Sequence, residues 1–552
     1  MIANITINEK SFGNKVLYRD LTLQLQAKEK VGIIGRNGTG KTTLFNLMTG
    51  LDTDFDGELE FKKNLIIISS RQEHQDHEDI PVLVYILDDI PQYAGLKHIM
   101  DTYPETMGSN THKISKYSDA LEQFSSLGYF MVEEEIIRSL EAYGLNQTQI
   151  NGKIGTLSGG QKRFVELVKV QHAKADIALI DEPTNHMDYV AKERFLEWFG
   201  STPEAVVVIT HDRDVLNQVD RIVEIRDGRA ISFPGNYDAY LRINTSKITS
   251  EVNEFEVKQR RIINLKDDLV RFRRLKERAR DPGTIHRFKS LEERTKKELA
   301  RLQQMEKPSF WIDKESAQGL NTKMSAAYEE HKTRNIKIRT RSSESTSSRL
   351  LIEASKLSLG YGDTPLFTDI NFQLREGDRI RLHGRNGAGK TTLVKAILAQ
   401  AQGEKAQSQV MAGHIVIENE LKIGNYEQEI APKLLSTTLA EAIEQVYMSR
   451  DVKINDQKIK QLLSDYLFNP ATDGAIPLKL LSGGQKARFQ LISMLANDPM
   501  VLILDEPTNH LDLPSIEEME QALKQYHGTI LYVSHDTYFV KNIGGTETAI
   551  GS

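Results

Sequence analysis

Gly35-Arg-Asn-Gly-Thr-Gly-Lys-Thr-Thr43 returns, with one residue changed, as Gly384-Arg-Asn-Gly-Ala-Gly-Lys-Thr-Thr392. Gly35, Gly38 and Gly40, with their counterparts Gly384, Gly387 and Gly389, let backbone N–H groups turn inward around phosphate oxygens where side chains would block them. Lys41 and Lys390 place a positive charge at the outer phosphates, and Thr42 and Thr391 offer a hydroxyl to a magnesium ion. Arg36, Asn37, Thr39 and Thr43 complete the first loop; Arg385, Asn386, Ala388 and Thr392 complete the second. Short runs, Val31–Ile34 and Arg379–Leu382, lead into the loops, and helical patterns, Thr42–Met48 and Thr391–Leu398, leave them. Strand, phosphate loop and helix are therefore expected twice.

Other motifs repeat as well. Leu157-Ser-Gly-Gly-Gln161 returns as Leu481 to Gln485, Asp181-Glu-Pro-Thr-Asn-His186 as Asp505 to His510, and His211 as His535, all at one and the same offset. A shared offset across separate motifs marks a duplicated domain. Lys41 and Lys390 are further apart than that offset, so the first copy carries extra length before Leu157. The stretch from Gln72 to Leu157 is also much longer than that from Gln428 to Leu481, which places an insertion within 73–151. There 82–87 and 121–140 read as helical; the insertion is a packing variant or a contact arm. Ile177–Ile180, Val501–Leu504, Val206–Ile209 and Ile530–Val533 are apolar runs of the kind buried in parallel sheets. Strands alternating with helices predict layered α/β domains.

Asp181 and Asp505 end such strands and are suited to hold Mg²⁺. Glu182 and Glu506, one residue on, are expected to orient water as general bases without ligating the metal. His211 and His535, each in a His-Asp pair past the next strand, are placed to hydrogen-bond a γ phosphate and the attacking water. Gln72 and Gln428 are expected to sense the metal and that water. Phe12 precedes Lys41 by the same interval as Tyr361 precedes Lys390, a spacing for stacking on adenine; a core position is the alternative.

A chain of 552 residues exceeds one hydrophobic core. Hydrophobic residues are 39% and charged residues 27%, ordinary for a soluble globular protein. The absence of cysteine excludes disulfides and thiolate chemistry and fits a reducing compartment. No apolar stretch is long enough to span a bilayer and no export signal opens the chain, so no membrane partner and a cytoplasmic location are expected. The net charge of -6 argues against a general polyanion binder, yet 243–350 carries 26 Lys+Arg against 16 Asp+Glu.

That segment has helical stripes, Phe255 to Leu275 and Ile285 to Met305, around the turn Asp281-Pro-Gly283. It reads as a helical hairpin. Arg271, Arg273, Arg274, Lys276, Arg278 and Arg280 crowd the turns before the break, with Arg287 just beyond and Phe310-Trp311 further on. RNA phosphate suits this cluster; a solvated helical spacer is the alternative.

Together these motifs resemble the ATP-binding cassette superfamily. The resemblance covers both copies and implies two ATP and Mg²⁺ sites, each capped from the opposite copy. Ser158, Gly159, Gly160 and Gln161 would complete the site of Lys390; Ser482, Gly483, Gly484 and Gln485 would complete that of Lys41. ATP would close the copies on each other and hydrolysis would release them. Glu182-Pro-Thr-Asn-His-Met-Asp188 and Glu506-Pro-Thr-Asn-His-Leu-Asp512 resemble the ABC-F proteins, Met187 being a conservative departure from leucine. Transporter subunits more often carry Ser-Ala-Leu at that step.

Membership of that kind implies an α/β fold of two P-loop nucleotide-binding domains joined by an α-helical hairpin linker. The domains would be 1–242, 243–348 and 349–552. It implies a monomer with intramolecular pairing and no obligate protein partner. The linker would enter the ribosome's tRNA exit site and contact P-site tRNA and large-subunit rRNA, its tip at 280–286 or, in a second register, at Phe310-Trp311. Antibiotic protection and relief of stalled translation both occur among such proteins. A DNA-repair ATPase of this architecture would carry a basic C-terminal coiled coil, which is absent. A transporter subunit disagrees with the fused copies, the Asn-His step and the basic linker. The second copy ends at Ile550-Gly-Ser552 without a counterpart of Asp220–Gly228 and Pro234-Gly-Asn-Tyr237. Either its last strands are reduced or the chain is shortened there, with the final Gly-Ser as a scar.

Overall fold

The computed structural model describes residues 1–13, 15–71, 77–106, 108, 110–185, 187–278, 281–303, 349–362, 364–403, 408–427, 430–509 and 511–551. In the first copy β1 (Ala3–Phe12) buries Ala3, Ile5 and Ile7 and turns Asn4 and Thr6 outward, the alternation of a half-buried strand. It pairs antiparallel with β2 (Lys15–Leu25), and after β3 (Lys30–Ile34) and helix α1 (Lys41–Met48) also with β4 (Asp56–Phe61).

The main sheet continues through β5 (Ile67–Ser69), β6 (Ile177–Asp181), β7 (Ala205–Ile209), β8 (Arg221–Arg226) and β9 (Arg229–Pro234), in the order β5-β6-β7-β3-β8-β9. Only β9 is antiparallel; β6 and β7 are buried at every residue, one face packing in a core shared with β1, β2 and α1. Those crossings use α2 (Val82–Asp88), α3 (Tyr93–Thr106), α4 (Thr111–Ser126), α5 (Val132–Ala142), α6 (Gln147–Ile150), α7 (Gly159–His172), α8 (Tyr189–Ser201) and α9 (Arg213–Leu216).

The inserted length is α3 and α4. In each copy the residue before a helix bridges to the approach to the Ser-Gly-Gly motif, Pro81 with Lys153 and Thr438 with Pro477, and only the first copy then adds a helical pair. A cluster of Tyr93, Phe124 and Tyr129 ties that pair together and to the turn that follows it, and Tyr129 OH donates to Pro91 O at 2.7 Å. Residues 121–140 are not one helix: Gly128, at φ 75°, turns the chain between α4 and α5.

A second unit, Asp238–Thr333, holds the hairpin of α10 (Tyr237–Arg278) and α11 (Pro282–Gln303). Ile262, Leu265 and Leu269 are buried along α10, and Arg261 Nε donates to Glu298 Oε1 at 2.9 Å to tie the helices together. Asp281 Oδ2 accepts the Thr284 N–H (2.8 Å) and Pro282 occupies the first helical turn, so the break also starts the return helix.

The second copy repeats the plan. β10 (Leu350–Tyr361), β11 (Thr364–Arg375) and, after β12 (Arg379–His383) and α12 (Lys390–Gln402), β13 (Gln409–Ile417) make the antiparallel sheet. β14 (Ile423–Tyr426), β15 (Val501–Asp505), β16 (Thr529–Val533) and β17 (Thr546–Ala549) build the main sheet, order β14-β15-β16-β12-β17. Its helices are α13 (Leu439–Met448), α14 (Asp456–Asp465), α15 (Gly483–Met494), α16 (Leu513–Gln525) and α17 (Thr537–Ile543). The expectation that the strand matching Asp220–Gly228 is missing is corrected: β17 lies beside β12 as β8 lies beside β3. Only the hairpin partner corresponding to β9 has no counterpart among the described residues.

The two copies pack in one compact unit. Arg213, at the start of α9, is buried against the second copy, 3.2 Å from Glu520, 3.6 Å from Glu517 and over the Tyr538 ring. Asn217 Nδ2 donates to Tyr538 OH (2.8 Å), and Thr537 Oγ1 to Asp214 Oδ2 (2.8 Å).

Candidate functional site

Gly40 and Gly389 close the phosphate loops with φ of 98° and 93°. A Cβ on Gly40 would meet Tyr18 OH at 2.6 Å, and one on Gly389 the Phe367 ring at 2.8 Å, so conformation and crowding both demand glycine. No side chain caps α1 or α12, which leaves the first-turn N–H groups aimed at the loop, a ready anion site. Lys41 Nζ donates to Gly35 O (2.8 Å) and Arg36 O (3.2 Å); Lys390 Nζ donates to Gly384 O (2.7 Å) and Arg385 O (2.9 Å). Burial lowers the pKa of both ammonium groups against the pull of neighbouring carboxylates. The cradle fits a polyphosphate.

Thr42 Oγ1 donates to Asp181 Oδ2 at 2.7 Å, and Thr391 hydrogen-bonds Asp505 in the same way. Burial pushes both carboxyls up. Asp505 Oδ1 is buried with no hydrogen-bond partner among the described residues. A hydroxyl beside a buried carboxylate, all hard oxygen, fits Mg²⁺, whose charge would reverse that upward shift.

Next along each chain, Glu182 and Glu506 hold left-handed backbones, φ 49° and 46°. A non-glycine residue there stores about 1–3 kcal/mol of strain. His211 Nε2 lies 3.2 Å from Glu182 Oε1, and His535 Nε2 lies 3.4 Å from Glu506 Oε1. Burial raises both glutamates, Glu506 to about 7, with the adjacent aspartate adding to it. Burial also drives both histidines down to about 3, so they are neutral. His211 Nδ1, both ring nitrogens of His535 and Glu506 Oε1 lack hydrogen-bond partners among the described residues. That is unspent capacity at a site built for a ligand. A cavity of about 640 Å³ lined by Lys41, Asp181, Glu182 and His211 extends to Glu506 and His535.

Each loop is also met from the other copy. The Asn37 N–H donates to Asp512 Oδ2, and the Asn386 N–H to Asp188 Oδ2, both at 3.0 Å. Each aspartate uses its other oxygen to cap its own helix, Asp188 on α8 and Asp512 on α16. These two residues were not assigned a role from sequence; their matching positions after each Asn-His step were the available signal. A second cavity, about 610 Å³, lies between Ser158, Gly160 and Gln161 of the first copy and Arg385, Asn386 and Gly387 of the second. Ser158 and Ser482 cap α7 and α15 in reciprocal boxes with Gln161 and Gln485, the local reason for the Ser-Gly-Gly-Gln spacing. On the reverse side Gly484 packs against Ser515, whose hydroxyl donates to Asp512.

Phe12 and Tyr361 are 55% and 50% exposed at the ends of β1 and β10, so neither is a core residue. Gln72 and Gln428 lie outside the described residues, although the adjoining Arg71 N–H is anchored on Glu166 Oε2 of α7 at 2.8 Å. On the hairpin Arg271, Arg274 and Arg287 are exposed. The side chains of Arg273, Lys276 and Arg278, and the whole of Arg280, lie outside the described residues, as does Phe310-Trp311. No described helix is long and apolar enough to cross a membrane.

The family model described as ABC transporter matches residues 18–185 and 367–509. The chain is 28% identical over 550 residues to the putative ATP-binding protein YdiF of Bacillus subtilis, covering 98% of this chain and 79% of that protein. It is 28% identical to ATP-binding protein Uup of Haemophilus influenzae (98% and 77% covered) and to ABC transporter F family member 5 of Arabidopsis thaliana (97% and 72%). Among solved structures, RNase-L Inhibitor aligns over 99% of this chain and 87% of its own, at a TM-score of 0.58 and 16% identity. An archaeal ribosome recycling factor, aABCE1, solved with ribosomal stalk protein aP1, aligns over 97% and 86% at a TM-score of 0.54 and 18% identity.

Proposed function

The chain belongs to the ATP-binding cassette family, within its ABC-F subfamily, and is an ATPase; on that premise we propose that it binds the ribosome through its basic hairpin and couples ATP-driven closure of its cassettes to translation. The observation that carries this reading is the reciprocal pair of contacts, Asn37 with Asp512 and Asn386 with Asp188. Each phosphate loop is completed by the opposite cassette, so nucleotide state sets the spacing of the two cassettes that flank the hairpin in sequence. The domain limits we adopt are 1–242, 243–348 and 349–552.

In the proposed reaction the first-turn N–H groups of α1 and α12, with Lys41 and Lys390, hold the phosphates. Thr42 with Asp181, and Thr391 with Asp505, hold Mg²⁺, joined by Gln72 and Gln428. The ion screens phosphate charge when bound. Glu182 and Glu506 accept the proton of the attacking water. Neutral His211 and His535 hydrogen-bond the terminal phosphate from the side of the glutamates. Phe12 and Tyr361 stack on the adenines, and Ser158, Gly160 and Gln161, with Ser482, Gly484 and Gln485, cap the opposite nucleotides.

The hairpin supplies the RNA contact. The positive charges of exposed Arg271, Arg274 and Arg287, together with those of Arg273, Lys276, Arg278 and Arg280 in the sequence, neutralise rRNA and P-site tRNA phosphates in this reading. Protection of the ribosome from antibiotics is one outcome of such binding. The test pairs two variants in ribosome pelleting. Glu182→Gln with Glu506→Gln should bind ATP, lose turnover and pellet with ribosomes in MgATP. Adding glutamine at Arg271, Arg274, Arg278 and Arg287 should weaken pelleting and flatten its salt dependence by about 0.7–0.9 log units per lost phosphate contact. Unchanged pelleting would remove the hairpin as the RNA contact.

A further inference from the structure

The two sites come from repeated motifs, yet each holds a half-buried arginine that the other lacks. Arg381 on β12 stands where the first cassette has Gly32: Gly32 lies opposite Val208 and Ile222, and Arg381 opposite Tyr532 and Glu547. In the first cassette that corner is apolar, and a Cβ on Gly32 would already meet Leu216 at 2.8 Å. In the second, Arg381 Nε and Nη2 both donate to Ser534 O (3.3 and 3.0 Å), and Nη1 donates to Glu547 Oε1 (2.6 Å). Ser534 directly precedes His535. The guanidinium, only 13% exposed, therefore grips the main chain that carries the histidine.

The first cassette braces a different point. Arg163 of α7 donates through Nη1 to the carbonyl of Glu182, the residue with the left-handed backbone. Its counterpart, two residues past Gln485 as Arg163 is past Gln161, is Ala487, a buried methyl. Glu506, equally left-handed, has no such arginine from α15, because Arg488 there is turned to Glu518 Oε2 (3.0 Å) and Leu467 O (3.1 Å). Partly desolvating a guanidinium is costly, so two such placements on active-site main chain, in one copy each, call for a role.

We propose that Arg163 and Arg381 are positioning residues, each serving one ATP site: Arg163 holds the Glu182 main chain at the Lys41 site, and Arg381 holds the His535 main chain at the Lys390 site. Arg163 also borders the cavity of the Lys41 site, but the role assigned to it is its contact with the Glu182 main chain. The inference rests on the roles given above to Glu182, Glu506, His211 and His535. Its consequence is that the two hydrolysis rates are set by different residues and can be changed separately.

The experiment measures single-turnover MgATP hydrolysis by the full chain. Arg163→Met and Arg381→Met are each placed in Glu182→Gln, which leaves the Lys390 site, and in Glu506→Gln, which leaves the Lys41 site. Arg381→Met should slow the first background by about tenfold or more, the modest end of what misplaced catalytic groups lose. Arg163→Met should do so in the second, and each loss should be at least about fivefold smaller in the other background. Arg381→Lys, which keeps a donor to Ser534, should recover most of its loss, and binding of a fluorescent ATP analogue should stay within about threefold throughout. Equal slowing in both backgrounds with a lowered melting temperature would mean a purely structural role and overturn the inference, as would no slowing. If one carboxamide silences both sites, the phosphate burst of the otherwise wild-type chain replaces these rates: a halved burst from each arginine variant supports the inference, and a full or absent burst overturns it. If the doubly substituted Glu182→Gln, Glu506→Gln protein still hydrolyses, the catalytic assignment itself has failed.

Discussion

Asp512→Asn separates two jobs held by one carboxylate. Oδ1 accepts the Ser515 N–H that caps α16, at 3.1 Å, while Oδ2 accepts the Asn37 N–H from the other cassette at 3.0 Å. Asparagine caps helices about as well as aspartate, so its single oxygen can keep the cap. Its amide nitrogen then faces the Asn37 N–H with no lone pair to offer. A hydrogen bond to a charged group contributes about 1.5–3 kcal/mol net. Closure at the Lys41 loop should therefore weaken by about 10- to 150-fold. Asp512→Ala loses the cap too, about 1 kcal/mol more, and that part should appear in the stability of the fold.

The chain has no cysteine, so Glu58→Cys and Glu444→Cys, both at exposed positions, give two unique dye sites for energy transfer. In the Glu182→Gln, Glu506→Gln background, Asp512→Asn should need correspondingly more MgATP to close while unfolding at the wild-type denaturant midpoint. The alanine variant should shift both. Closure of the asparagine variant at wild-type ATP concentration, or equal shifts for the two, would refute the division of labour.

Arg213→Met should cost about 3–5 kcal/mol, because it removes a buried charge partner of Glu517 and Glu520 across the interface. Adding Glu517→Gln and Glu520→Gln should recover much of it in denaturant titrations; no recovery would mean that Arg213 acts by packing alone. His172, half-buried on α7 beside Ser139 Oγ at 2.9 Å, has its pKa lowered by desolvation. The unfolded chain therefore binds more protons below the ordinary histidine pKa, so stability is full above about pH 6.5 and falls as pH drops toward the folded value. His172→Gln should shrink the difference in melting temperature between pH 7.5 and pH 5.5; an unchanged difference would assign the acid sensitivity elsewhere.

Much of the site could be read from residue pattern because its parts are local. A glycine loop followed by a helix, a Ser-x-x-Gln capping box and an aspartate ending an apolar strand each specify their own geometry, and each stands where its motif put it. What escaped is tertiary. Asp188 and Asp512 carry no local sign of their role, because their second oxygen works across the interface. The left-handed backbone at Glu182 and Glu506 has no side-chain signature. β17 was missed because Thr546-Glu-Thr-Ala549 has no apolar run, its place being at the sheet edge. Helices α4 and α5 merged in the reading because apolar periodicity continues across Gly128, where one glycine decides the turn.

The claim on which the account depends is that each nucleotide is completed by the cassette opposite its phosphate loop. Azido-ATP photolabelling of the Glu182→Gln, Glu506→Gln protein carrying Ser482→Arg tests it most directly. The blocked serine belongs to the second cassette, so labelling of the peptide bearing Phe12, in the first, should be lost while that of the peptide bearing Tyr361 persists. Loss at Tyr361 with Phe12 intact would mean that each cassette closes over its own nucleotide.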